Sequence, residues 1–242
     1  MNSESEVARQ REYYQQTALK YDALHTCAEP EHDLNARWFS LFLTATGGKS
    51  LLDVGTGTGR MLRFFKRSHP EVRAIGLEPV GALRNLAYGH GLTADEVIDG
   101  DACALPFADG SFDFVCESAV LHHIPQPKRA VAEMLRVARI GVMISDSNRF
   151  AQGTRLFRPV KFSLWKAGLW PIVNFIKTGG RGHEESAEDG ISYSFSVFDH
   201  LAAIQAQCPA VYLFNPDGRG PSPLFDAATV GLVGLKTGFR FA

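Results

Sequence analysis

The nine residues Leu51 to Gly59, Leu-Leu-Asp-Val-Gly-Thr-Gly-Thr-Gly, run from an apolar stretch through three glycines within five positions into a helical pattern that starts near Arg60. Glycine has no Cβ and enters positive φ at little steric cost, so backbone at such a turn can approach a ligand closely. A helix beginning there aims unpaired N–H groups and the positive end of its dipole into the same space. Strand, glycine turn and helix together open a βαβ unit, whose ligand crevice lies beyond the strand's carboxyl end. The spacing is G-x-G-x-G. A dinucleotide-binding turn has its last glycine, or an alanine, where this chain has Arg60, so a nicotinamide oxidoreductase is disfavoured.

Strand and helix patterns alternate from Ser50 onward: strand 50–54, helix 59–68, strand 72–78, helix 80–89, strands 95–98 and 112–116, helix 127–137 and strand 140–145. This alternation implies parallel βαβ units. Asp53, Glu78, Asp101, Glu117 and Asp146 all fall at the carboxyl ends of these strands. Solvated residues finishing strands would account for any one of them, but five along one edge beside a glycine turn point to a ligand site. Glu78 closes the second strand 19 positions past Gly59. A carboxylate there can accept hydrogen bonds from both hydroxyls of a ribose.

With Asp99-Gly100-Asp101-Ala102 after the third strand and Leu121-His122-His123-Ile124 after the fourth, the series resembles the class I S-adenosylmethionine-dependent methyltransferases, in the branch of the ubiquinone and menaquinone methylases. The resemblance covers residues 45 to 146. It implies an α/β fold: a doubly wound, Rossmann-like, seven-stranded and mostly parallel sheet with one antiparallel strand. It also implies S-adenosylmethionine as cofactor. Under it, Gly55, Thr56, Gly57 and Gly59 pass beneath the methionine part, next to Asp53 at the strand end. Glu78, with Pro79 beside it, holds the ribose. Asp101 meets the adenine amino group and the Ala102 N–H a ring nitrogen. Tyr21, in the Tyr21-Asp22 pair that looks like the family's entry signature, closes the methionine pocket or packs in the core, and Tyr14 is a lesser candidate. Glu117 reaches the cofactor's amino group or starts the next loop as a solvated residue.

Methyl transfer from a sulfonium is an in-line displacement with a neutral leaving group, so no leaving-group acid is needed. Alignment and water exclusion can contribute roughly 7–11 kcal/mol. A hydroxyl or protonated amine acceptor benefits from a base, and His123, then His122, are the candidates. The competing view is structural: one ring packs under the cofactor loop or caps the Pro125 to Pro127 turn. In the resembled branch this pair is often present whatever the substrate, which favours that view. Tyr193, in Ser192-Tyr193-Ser194-Phe195-Ser196, could grip a substrate, although a plain linker explains that segment equally well. The expected activity is methyl transfer to oxygen, nitrogen or carbon of a small molecule. A non-catalytic relative that binds the cofactor or its demethylated product to regulate a partner is the alternative, separated by labelled methyl transfer.

The 242 residues divide into an N-terminal helical cap (1–46), the cofactor-binding half of the core (47–146), a lid insertion (147–195) and the C-terminal part of the core (196–242). The cap holds helices over 5–24 and 30–44, the second presenting Leu34, Trp38, Leu41 and Phe42 to the core. The last part holds a helix over 196–206, with a Ser196/Asp199 capping box, and strands 210–214 and 227–236, whose short connection makes one of them antiparallel. In the lid, residues 155 to 181 carry Arg155, Arg158, Lys161, Lys166, Lys177 and Arg181 with no acid, interleaved with Phe157, Phe162, Trp165, Trp170 and Phe175. Phe162, Trp165, Leu169, Ile172 and Ile176 follow helical steps, interrupted by Pro171.

The favoured reading of this lid packs its aromatics on the domain and leaves its cations solvated. Peripheral membrane contact is the second choice. Nucleic acid is the least favoured, because the net charge is −1 and the basic run is short. The lid cations suit a carboxylate or phosphate, so the expected substrate is small and partly apolar or anionic. A polar, acidic start and the absence of any 18-residue apolar window suggest a cytoplasmic protein of undetermined oligomeric state. Cys27, Cys103, Cys116 and Cys208 are scattered without a C-x-x-C pair, so buried thiols are expected, with no metal and no disulfide framework.

Overall fold

Successive residues of a strand point to opposite faces of a sheet, and this chain uses both faces. In the computed structural model, which describes residues 3–25, 31–216 and 220–236, Leu52 and Val54, Val115, Val142 and Ile144, and Val230 and Leu232 pack on one side. Their neighbours Leu51, Phe114, Cys116, Met143, Val233 and Leu235 pack on the other. A sheet buried on both faces must be covered by helices on both, as near-continuous apolar strands require.

The elements run α1 (Ser3–His25), α2 (Glu31–Thr46), β1 (Ser50–Val54), α3 (Arg60–Ser68), β2 (Arg73–Leu77), α4 (Gly81–Gly89), β3 (Val97–Ile98), β4 (Phe112–Ser118), α5 (Pro127–Val137) and β5 (Ala138–Ser147). The chain continues with α6 (Arg158–Lys166), α7 (Trp170–Lys177) and a hairpin of β6 (His183–Ser186) and β7 (Gly190–Tyr193). The chain then forms α8 (Leu201–Gln205), β8 (Ala210–Phe214) and β9 (Thr229–Leu235). The main sheet has seven strands in the order β3-β2-β1-β4-β5-β9-β8. β9 runs antiparallel to both of its neighbours, and the other pairings are parallel. The fold is therefore the doubly wound α/β sheet with one reversed strand. Strand order reverses at β1, between β2 and β4, and this switch opens a crevice at its carboxyl end.

Four local expectations change. α2 buries Ala36, Phe39, Phe42 and Leu43 and leaves Leu34 and Leu41 exposed, because a helix rich in apolar residues admits two stripes about one position apart. Trp38 is half-buried and stacks on Phe214 at 5.1 Å. The third strand shrinks to Val97–Ile98 at the sheet edge. The expected helix over 196–206 splits: Ser196 and Asp199 form the capping box of a single 3₁₀ turn, Val197–Asp199, and α8 starts anew at Leu201. The segment before Ser194, expected as lid or linker, pairs with His183–Ser186 as the β6–β7 hairpin. No helix among the described residues is long and apolar enough to cross a membrane. Cys103, Cys116 and Cys208 are free thiols, and Cys27 lies outside the described residues.

Candidate functional site

The glycine turn is held against the end of β2. Gly55 and Thr56 donate their N–H groups to the Leu77 carbonyl at 2.7 and 3.1 Å. Gly57 adopts φ +58, and a Cβ there would sit 2.9 Å from the Tyr21 hydroxyl. Gly55 adopts φ +71, and a Cβ would come within 2.6 Å of Val120. Both positions thus need glycine for conformation and for space. Gly59, the residue before α3, is also left-handed at φ +77.

Glu78 is buried behind this turn. Its two carboxylate oxygens accept N–H groups from Gly57 at 3.0 Å and Val80 at 2.9 Å. Burial pushes its pKa up to about 7, against the lowering effect of those two hydrogen bonds and of Arg84. Each oxygen retains a lone pair for a further donor.

A cleft of about 570 Å³ opens here, lined by Gly55, Glu78, Pro79, Asp101 and Ala102 from the sheet edge, by Tyr14 and Tyr21 from α1, and by His123. α1 reaches it by packing Ala18, Tyr14 and Tyr21 with Val80 and Leu83. Asp101 accepts the Cys103 N–H at 2.8 Å through one oxygen and Arg11 of α1 at 2.9 Å through the other.

The remaining expected residues lie off this cleft. Asp53 is buried and accepts the Thr56 hydroxyl at 2.6 Å. That bond braces the turn from below. Glu117 is fully buried and accepts N–H groups from Val120 at 3.0 Å and Ser145 at 3.2 Å, joining the ends of β4 and β5. Burial and the nearby Asp146 hold it well above the usual carboxylate range. Tyr193 donates its hydroxyl to Glu6 of α1 at 2.7 Å, tying the hairpin to that helix.

His122 and His123 occupy different environments, with ring centroids 4.0 Å apart. His122 is buried, its Nδ1 2.6 Å from Asp146 Oδ1 and its Nε2 3.5 Å from Asp189 Oδ2. Burial alone would lower its pKa, but the two carboxylates raise it to about 10. At neutral pH it is an imidazolium between two anions. His123 places Nδ1 2.6 Å from the Ile191 carbonyl, which can only accept, so that nitrogen carries a proton. Its Nε2 then faces the Tyr14 hydroxyl at 3.0 Å and Asp189 Oδ1 at 3.3 Å. The donor atoms of His122, His123 and Asp189 come within 4.8 Å of one another. The contacts already made there are those of a hydrogen-bonded, charge-paired cluster.

Two members of this site escaped the sequence reading. Asp189 carries both histidines and accepts the Tyr14 hydroxyl at 3.1 Å. Gln10 brackets it, donating to the Asp189 carbonyl at 3.0 Å and accepting the Ile191 N–H at 2.5 Å. Asp189 is one of four acids, with Glu184, Glu185 and Glu188, that follow the basic run in the sequence, and Gln10 lies in a polar helix start. The local signal is their spacing: Gln10 and Tyr14 share one helical face, and Asp189-Gly190 is a hairpin turn.

The donor set suits an adenosyl sulfonium: a buried carboxylate with lone pairs to spare, and glycines at φ +71 and +58 whose Cβ atoms would fill the cradle. Comparison with known proteins agrees. A family model described as a methyltransferase domain matches residues 52–145. An uncharacterized methyltransferase of Mycobacterium leprae is 37% identical over 183 residues, covering 71% of this chain and 67% of the relative. A demethylmenaquinone methyltransferase of Renibacterium salmoninarum is 40% identical over 109 residues, 43% of this chain and 44% of that protein. The chain thus spans less than half the length of the first curated relatives it matches. Among solved structures, a SAM-dependent methyltransferase of Thermotoga maritima superposes with a TM-score of 0.55 at 18% identity, covering 94% of this chain and 100% of that one. That likeness concerns the fold.

Proposed function

The chain belongs to the class I S-adenosylmethionine-dependent methyltransferases, and from that premise we propose that it transfers a methyl group from S-adenosylmethionine to a small, partly apolar acceptor held beside His123. The observation that carries this reading is one cleft of about 570 Å³ lined by Glu78, Gly55, Tyr14 and His123 together. The cofactor, when bound, supplies an electrophilic methyl group on a sulfonium.

Glu78 and the glycine turn bind the adenosyl and methionine parts, and Asp101 and Ala102 border the adenine end. His123 Nε2 is the position at which a proton from an acceptor hydroxyl or amine is taken, since Nδ1 is committed to the Ile191 carbonyl. The Tyr14 hydroxyl lies 3.0 Å from His123 Nε2 and 3.1 Å from Asp189 Oδ1: its one proton is donated to Nε2 while the ring is neutral and to Asp189 once the imidazolium forms, which Asp189 stabilises. His122, already protonated at neutral pH, holds Asp189 in place and takes no proton. α1 and the β6–β7 hairpin cover this side of the cleft and exclude water, with Tyr13 donating to the Ala187 carbonyl at 3.1 Å and Arg9 paired with Glu185.

The test is transfer of a labelled methyl group to a panel of phenols, amines and quinols that includes demethylmenaquinone, the compound in the Renibacterium relative's name. Incorporation that requires His123, with S-adenosylhomocysteine as coproduct, supports the proposal. Failure of purified protein to bind S-adenosylmethionine in calorimetry overturns it, and binding with no transfer to any acceptor favours the regulatory alternative.

A further inference from the structure

The lid insertion is apolar on both sides. Its inner side is satisfied: Phe162 and Trp165 pack edge-on against the fully buried Phe150 at 5.5 and 5.3 Å. Phe162 also meets Phe225 at 5.8 Å. Trp170 is buried and donates its indole N–H to Ser194 at 2.9 Å. The expected inward packing of the lid aromatics is therefore met by these residues. It fails for the other two aromatics of the segment, Phe157 and Phe175. Leu156, Phe157, Leu169, Ile172, Phe175 and Ile176 are between 45% and 77% exposed.

Four of these six residues are ordered by the geometry of α7. Ile172, Phe175 and Ile176 stand at i, i+3 and i+4 of α7, with Leu169 one turn before, so they form one stripe whose opposite side holds Trp170. An ordinary surface helix turns such a stripe inward. Exposed apolar side chains grouped in this way mark an interaction surface.

The charge of the surrounding segment selects the occupant. From residue 155 to 181 there are six cations and no acid, in a chain whose net charge is −1. Some are engaged: Lys177 pairs with Glu184 at 2.5 Å, Arg155 lies 3.6 Å from Asp226, and Arg158 and Lys161 bond backbone carbonyls at 2.6 and 2.9 Å. Lys166, at the end of α6 with its ammonium 5.4 Å from the centre of the Phe162 ring, and Arg181, four residues past α7 with its Nε donating to the Thr178 carbonyl at 3.3 Å, are exposed and lack an acidic partner among the described ion pairs. A two-fold pairing of this patch with a second copy would bring a cation-rich segment against itself, a like-charge juxtaposition that opposes association. An anionic bilayer offers an apolar interior for the stripe and a negative surface for the cations.

We infer that α6 and α7 seat this protein on anionic membrane surfaces, with Leu169, Ile172, Phe175 and Ile176 entering the headgroup boundary. The chain attaches to the bilayer without spanning it. This inference is independent of the acceptor and of methyl transfer, since none of these side chains lines the cofactor cleft.

The test is co-sedimentation of the full chain with vesicles of phosphatidylglycerol and phosphatidylcholine, compared with phosphatidylcholine alone. Salt-sensitive binding to the anionic vesicles, reduced at least tenfold in Ile172→Asp/Ile176→Asp, supports the inference. Cofactor affinity measured on the same variant should be unchanged, which shows that the variant is folded. Lys166→Glu/Arg181→Glu should reduce binding to anionic vesicles about tenfold or more, at roughly 1 kcal/mol per cation. Absence of vesicle binding, or binding unaffected by the paired aspartates, overturns it. So does concentration-dependent dimerisation of the native chain, seen by light scattering, that the same substitutions abolish while vesicle binding persists.

Discussion

His122 Nδ1 lies 2.6 Å from Asp146 Oδ1, an imidazolium–carboxylate pair buried where β5 ends. Its other nitrogen faces Asp189 at 3.5 Å, so one ring joins the core sheet to the hairpin that roofs the site.

This pair predicts a pH profile for stability. The pKa of His122 is raised to about 10 in the fold, whereas an unfolded histidine titrates near 6.5. Its contribution is complete below about pH 6.5 and is lost as pH rises through about 10. Asp146 and Asp189, held below the usual carboxylate range by the histidines despite burial, contribute above the unfolded value near 4 and lose that contribution as pH falls. Chemical denaturation from pH 6 to 10 should show the alkaline loss. Asp146→Asn should be less stable at pH 7 by about 3–5 kcal/mol and flatter across that range. Native stability in the variant would refute the pairing.

Glu78→Gln should weaken S-adenosylmethionine binding by about 1.5–3 kcal/mol, the typical worth of hydrogen bonds to a charged acceptor. Calorimetry measures this directly, and an unchanged affinity removes Glu78 from the cofactor site.

The same carboxyl sets a pH dependence for binding. Because burial raises its pKa to about 7, Glu78 becomes a full acceptor only as pH rises through that value. Cofactor affinity should increase from pH 6 to pH 8 in the native chain, and Glu78→Gln should abolish the increase.

His123→Ala should lower turnover by roughly 10² to 10⁴ and leave cofactor affinity intact, as expected for a general base. Loss of affinity in step with turnover would assign the ring to packing under the cofactor loop instead.

Gly57→Ala places a side chain at φ +58 and within 2.9 Å of the Tyr21 hydroxyl. The left-handed conformation costs about 1–2 kcal/mol, and the clash adds to it. Combining it with Tyr21→Phe should recover the clash part alone, so a double-mutant cycle on thermal stability should give a non-zero coupling. Additive effects would mean that the turn and α1 do not touch.

Much of the architecture was legible because it is contiguous. The run Leu51 to Gly59 contains a whole strand, its turn and the start of a helix, so its meaning needs no partner. The strand-end acids were also visible, yet their roles divide. Glu78 and Asp101 line the cleft, whereas Asp53 braces the turn and Glu117 clamps β4 to β5. A position at a strand end does not say which face its side chain takes, and alternate residues take opposite ones.

Periodicity likewise measures spacing and leaves direction open. It placed Leu34 and Leu41 on the wrong side of α2, and it grouped Ile172 and Ile176 with Phe162 and Trp165 on helical steps without showing that they face outward. The tyrosine expected to grip a substrate, Tyr193, is 187 positions from Glu6, its hydrogen-bond partner. No local pattern could join them.

The sequence alone determined the sheet class, the glycine turn and the acid at the end of β2, because each arises from neighbouring residues obeying local backbone sterics and strand periodicity. Tertiary structure decided the surroundings of the two histidines. Asp146 and Asp189, 24 and 67 residues from His122, set its charge by converging on one ring, and the β7 carbonyl of Ile191 orients His123. Proton position depends on which charges and carbonyls come together in space, and only folding brings these together.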